Sequence, residues 1–110
     1  MKTKLTTEQS KHLIELGVPE EKATRVEFYG AYKTNPIFTL TDLLDILPKE
    51  IEPKNGNACL EIQMFNDTCC VSYEYTGHGG CKAYFDADEL IDALYELVVW
   101  CIENSHLKFV

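Results

Sequence analysis

Residues 58–76 constrain this chain most. Leu60, Ile62 and Met64 alternate with Glu61 and Gln63, and after Asn66-Asp67 the residues Cys69, Val71, Tyr73 and Tyr75 alternate with Cys70, Ser72 and Glu74. Period-two alternation is the mark of a half-buried strand. A two-residue Asn-Asp connection suits a tight hairpin. Counting outward sets Met64 opposite Cys69, Ile62 opposite Val71 and Leu60 opposite Tyr73. Every apolar partner then falls on one face. A slip of one residue would turn that face to solvent, so the register is strongly specified. Gly77-His78-Gly79-Gly80 forms a second turn signal, and residues 81–85 return as a third antiparallel strand.

Helices are expected around this meander. Thr6 and Gln9 have capping-box spacing ahead of Leu13, Ile14 and Leu16, which predicts a helix over 7–16, closed by Gly17 and Pro19. Thr39 or Thr41 caps a second helix carrying Leu40, Leu43, Leu44 and Leu47, and Pro48 ends it. Asp86 and Glu89 have capping-box spacing for a last helix over 87–104, with Asn104 near its end. Its stripe of Leu90, Ile91, Leu94, Leu97, Val98, Cys101 and Ile102 makes it the main cover of the sheet. Between the first two helices, Val26 and Phe28 alternate with Arg25 and Glu27, and Asn35-Pro36 is a turn signal. A hairpin is expected there, with strands near 25–31 and 36–38. Residues 48–57 are expected to be loop. At 110 residues, the chain is expected to be one α+β domain over 1–110, in the order helix, hairpin, helix, meander, helix. The small antiparallel sheet, hairpin 58–76 extended by 81–85, has one face covered by helices.

The charge is uneven. The chain carries 18 acids and 10 bases, a formal charge of −8. Residues 1–60 hold nine acids and eight bases, whereas residues 61–107 hold nine acids and Lys82 alone. A basic footprint for direct nucleic-acid binding is therefore missing. On the last helix Asp88, Asp92, Glu96 and Glu103 lie opposite the apolar stripe. Such a face serves solubility or meets a basic partner. Val99 sits among these acids, with Trp100 and Tyr95 on the two flanks. These apolar groups off the core face call for a second contact: the first helix, the C-terminal tail or another subunit. Asp88, Asp92, Glu96, Val99 and Trp100 are thus the candidate partner-binding surface, and tryptophan is favoured in such surfaces.

Catalytic and metal chemistry find little support. His78 and Cys81 form a His-x-x-Cys pair, but no Cys-x-x-Cys accompanies it, and Cys69 belongs at the far end of its strand. Acidic surroundings raise a thiol's pKa, which disfavours a Cys81 nucleophile. Gly77-His78-Gly79-Gly80 precedes a strand and lacks the Lys-Ser/Thr of a phosphate loop. No metal, cofactor or catalytic residue is assigned. The five cysteines are expected as reduced thiols, small hydrophobes in a cytoplasmic protein. No apolar run follows the basic opening, and residues 97–102, the longest apolar stretch, fall far short of the ~20 residues that span a bilayer. No signal peptide and no membrane contact are expected.

Two stretches carry a resemblance. Phe38-Thr39-Leu40-Thr41-Asp42-Leu43-Leu44-Asp45-Ile46-Leu47-Pro48-Lys49-Glu50-Ile51, and Glu89-Leu90-Ile91-Asp92-Ala93-Leu94-Tyr95 followed by Trp100, resemble small uncharacterised proteins of phages and integrative elements from gut anaerobic bacteria. The likeness covers about a third of the chain. It implies a mobile-element setting inside a bacterium and brings no catalytic residue with it. The resulting expectation is a non-enzymatic protein-binding module acting through the last helix. The alternatives are an anti-defence inhibitor mimicking nucleic-acid charge, a metal- or thiol-dependent protein using His78 and Cys81, and a structural homodimer.

Overall fold

The computed structural model describes residues 1–52, 56–77 and 79–109. The element order is α1 (Thr7–Glu15), β1 (Arg25–Phe28), β2 (Thr34–Ile37), α2 (Leu40–Ile46), β3 (Glu50–Ile51), β4 (Ala58–Met64), β5 (Cys69–Tyr75), β6 (Cys81–Ala87) and α3 (Leu90–Glu103), with one 3₁₀ turn at Glu20–Lys22. This is the expected α+β order. The strands form two antiparallel sheets, β1-β2 and β3-β4-β5-β6. Among the described residues no helix is long and apolar enough to cross a membrane.

The β4-β5 register is the one counted from the sequence. Met64 pairs with Cys69, Ile62 with Val71 and Leu60 with Tyr73. Val71 and Tyr73 are fully buried, because α3 packs across β5 and β6. α2 packs on α3, and α1 packs on β2. The molecule is only 17 Å deep along its shortest axis, room for the sheet and one helical layer. The face of the sheet carrying Glu61, Gln63, Tyr84 and Asp86 therefore stays open, and all four are exposed.

Local chemistry explains the ends of α1 and α2. The Thr6 hydroxyl accepts from the Gln9 amide at 3.1 Å, and the Gln9 side chain accepts from the Thr6 amide at 3.0 Å. At the other end of α1, Gly17 takes φ +111°, and the amides of Gly17 and Val18 donate to the carbonyls of Ile14 and Leu13. This is a Schellman closure, with buried Val18 following it in the core. Thr39 and Asp42 make the same reciprocal box at α2. Buried Asp42 also accepts from the amide and hydroxyl of Thr24, which ties the start of β1 to α2 and satisfies the carboxylate.

Three expectations are corrected. The last helix starts at Leu90, not 87, and the Asp86/Glu89 capping box does not form: Glu89 is the N-cap and its side chain caps nothing. Residues 86 and 87 instead extend β6, pairing with Cys70 and Cys69. Continued pairing with a buried strand outweighs a local cap worth about 1 kcal/mol. Residues 48–57 are not all loop, since Glu50 and Ile51 pair with Cys59 and Ala58. The first hairpin is shifted, with strands at Arg25–Phe28 and Thr34–Ile37 and the turn between them.

Candidate functional site

The structure divides the five residues expected to form the partner-binding surface. Asp88 is exposed just ahead of α3, and Glu96 is exposed on it. Asp92 is engaged: Lys2 Nζ lies 3.0 Å from its carboxylate, and Gln9 Nε2 donates to it at 3.3 Å. Val99 is half-buried against the core. Trp100 stacks on His106, with ring centroids 5.0 Å apart, and leans on Tyr73. Tyr95, on the other flank, meets His12 of α1 through a hydrogen bond. The second contact demanded by these off-core groups is thus supplied within the chain, by α1 on one flank and by the C-terminal tail on the other.

The tail reaches Trp100 through a second Schellman closure. Ser105 takes φ +63°, and the amides of Ser105 and His106 donate to the carbonyls of Ile102 and Cys101. Beside it lies a polar cluster that no sequence motif announced. Glu52 also takes a positive φ, +56°. Its carboxylate accepts from Tyr75 Oη at 3.1 Å and sits 3.2 Å from Lys82 Nζ and 4.0 Å from His106 Nε2. The Lys82 ammonium holds the Glu52 carboxyl below its ordinary range, and Glu52 in turn holds Lys82 above its own. Partial burial, then the bond to Glu52, raises the Tyr75 phenol. The cluster fastens the chain after β3 to the far strand β6 and to the tail, a structural lock rather than a cavity.

The thiols differ in setting. All five cysteines are free; Cys69, Cys70 and Cys101 are buried, Cys59 is half-buried and Cys81 exposed. Burial pushes the Cys101 thiol up to about 11, which keeps it neutral beside the buried Tyr73 hydroxyl. Cys70 shares a hydrogen bond with Tyr84, and that bond leads in pushing the Tyr84 phenol up to about 12. Cys81 pairs with Glu74, and Cys69 with Ala87 at the opposite end of β5. His78 lies outside the described residues. Among the described residues no group of three or more His, Cys, Asp or Glu side chains is placed to hold a metal ion.

Two uncovered apolar surfaces remain. The first is the β1-β2 arm. All four residues of β1 are exposed, Phe28 at 73%, and Tyr32 in the connecting turn at 97%. The arm is held at its base by buried Ile37 and the Thr24–Asp42 bonds, along β2 by α1, and at Glu27 by the Thr7 hydroxyl, which donates at 3.1 Å. The second surface is the end of β4. Ile62 and Met64 share the helix-facing side of the sheet, but α3 covers β5 and β6, so Met64 stays 55% exposed and neighbouring Phe65 56%. β3 pairs only with Ala58 and Cys59, so among the described residues Glu61 to Met64 also form a free edge. Met64, Phe65, Met1, Asp67 and Asp88 line a cleft there of about 250 Å³.

No protein-family model, no curated protein and no solved structure matches this chain.

A larger cleft, about 610 Å³, lies between the N-terminal segment and the start of α2, lined by Lys4, Arg25, Thr39 and Asp42 among others. Its buried carboxylate is already satisfied by Thr24 and Thr39. The arm's exposure was not foreseen because alternation says that a strand forms, not that anything covers it. The signal present was density: Phe28, Tyr29 and Tyr32 fall within five residues of a turn segment.

Proposed function

We propose that this protein is a non-enzymatic protein-binding module whose principal contact is the aromatic β1-β2 arm. The observation that supports this is the exposure of Phe28, Tyr29 and Tyr32 on an arm that α1 meets only along β2. Aromatic side chains are large apolar groups with little entropy to lose, which favours them as interface anchors. Val26 and Phe28 share one face of β1 and both are exposed, and exposed apolar patches mark interaction sites. The exposed acids Asp88 and Glu96, from the surface first assigned to α3, then act at the rim as steering charges. This agrees with an excess of acids over bases concentrated in residues 61–107, and with the bacterial mobile-element setting that the resemblance implies.

The test is affinity capture with three baits: the native protein, Phe28→Ser/Tyr32→Ser, and Asp88→Lys/Glu96→Lys. The expected result is a protein retained by the native bait, lost with the arm variant, and weakened in a salt-dependent way with the charge variant. Equal capture by native and arm baits would overturn the assignment of the arm.

A further inference from the structure

We propose that the partner of the arm is a second copy of this chain, with the β1-β2 arm of each copy seated on the uncovered end of β4 of the other. The proposal rests on the binding-module reading and names its partner.

Three observations carry it. The two surfaces are complementary in charge. From Arg25 to Thr34 the arm carries Arg25 and Lys33 against Glu27, a net charge of +1. The β4 end carries Met64 and Phe65 beside Asp67 and Asp88, and the ammonium of Lys2, next to Met1 of the same cleft, is committed to Asp92 while its backbone amide donates to Glu89. Basic-aromatic meets acidic-apolar. Second, both elements are sheet edges. β1 pairs with β2 alone, and β4 from Glu61 to Met64, beyond the Leu60 amide's bond to the Lys49 carbonyl, pairs with β5 alone among the described residues. Free edges of this kind pair with a further strand, so backbone hydrogen bonds add to side-chain burial. Third, the arm does not fold back onto its own β4: Phe28 and Tyr32 remain exposed, as do Met64 and Phe65. The contact is therefore open to another chain.

The areas agree with a stable assembly. Three largely exposed aromatics offer on the order of 400 Å² per arm. Two exchanged arms and the surfaces they cover reach on the order of 1,600 Å², the standard size of a specific interface. Reciprocal exchange about a two-fold axis makes each contact twice and closes the assembly as a dimer.

The test is sedimentation equilibrium on the full chain over two decades of concentration, with far-UV circular dichroism confirming the fold of each variant. The native chain is expected to be a dimer. Phe28→Ser/Tyr32→Ser and Met64→Ser/Phe65→Ser are each expected to weaken dimerisation by about a hundredfold. Neither variant removes a buried side chain. Mixing the two variants distinguishes this arrangement from any other dimer: one intact arm then meets one intact β4 end, and a two-chain species returns. A native chain that stays monomeric overturns the proposal, as does a β4-end variant that dimerises like the native chain or a mixture that stays monomeric. If the native chain is monomeric while the arm variant still loses a captured protein, self-docking fails and the binding-module reading survives. If neither assembly nor capture depends on the arm, both fail.

Discussion

The β1-β2 arm and the β5-β6 pair under α3 begin from the same local signal and end in opposite environments. Both are antiparallel pairs with period-two alternation. Val71 and Tyr73 of β5 are fully buried, whereas Val26 and Phe28 of β1 stand in solvent. The difference is the cover. α3 supplies Leu94, Leu97, Val98 and Cys101, all fully buried, to the face of β5 and β6, while α1 meets the arm only along β2. A two-stranded hairpin is marginal on its own. The arm therefore depends on its anchors at Asp42 and Ile37, and its apolar face remains available to a partner. Alternation specifies a strand, and only a third element decides whether that strand becomes core or contact surface.

The largest test of this contrast is truncation on each side of it. Leu97→Ala is expected to cost about 3 kcal/mol, because the vacated volume lies between α3 and the sheet. Phe28→Ser is expected to stay within about 0.5 kcal/mol in the isolated chain. Urea unfolding of both variants measures the pair, and comparable losses would break the distinction between core and arm.

The covered region also sets an alkaline limit. Folding raises the Cys101 thiol from 9.0 to about 11, so the native state favours the neutral thiol. The stabilisation is complete below pH 9.0, where both states are protonated, and is lost as the pH rises from there toward 11. The loss is on the order of 2 kcal/mol. Tyr73, also held protonated by burial, acts in the same direction at higher pH. Stability measured across this range should fall in the native chain and fall less in Cys101→Ala.

A smaller effect concerns the turn that carries His106 onto Trp100. Ser105 occupies a left-handed conformation that glycine adopts without steric cost. Ser105→Gly is expected to raise stability by about 0.5 kcal/mol, read from the denaturation midpoint; destabilisation would show that the Ser105 side chain carries a role beyond the closure. The smallest effect belongs to Glu52. Its carboxyl is held below 4.5, chiefly by Lys82, so the stability it adds is present above that pH and lost as pH falls through the depressed value. The Lys82 end of the pair is exposed, and solvent screens it. Glu52→Gln should slightly flatten the acid limb of a thermal melt, and Lys82→Met should flatten it in the same sense.

Much of the fold was legible because its signals are local. Thr6 with Gln9 closes hydrogen-bonded rings within four residues, so composition at fixed spacing suffices to place that helix start, while the choice of Thr39 over Thr41 for α2 came from the bonds it makes with Asp42. The β4-β5 register follows from counting around one short turn. Asp86 with Glu89 offered the same kind of signal and was overruled, because residues 86 and 87 gain more by pairing with Cys70 and Cys69. β3 was missed because two residues carry no periodicity. The sequence pointed to apolar groups on α3 that need a contact, but not to what makes it. The off-core groups of α3 did demand a contact, and α1 and the tail provide it. The surfaces left over are on β1-β2 and at the end of β4.

The sequence by itself determined the α+β order, the meander register, the first helix's cap at Thr6 and the concentration of acid in residues 61–107, since each depends on neighbours close along the chain or on composition alone. Only the tertiary structure decided that Trp100 packs on His106, that Glu52 joins Lys82 across the sheet, and that the arm and the end of β4 stay uncovered. Those outcomes depend on how far α3 extends across the sheet. It reaches β5 and β6 and stops there, and apolar residues beyond its reach remain at the surface whatever their alternation.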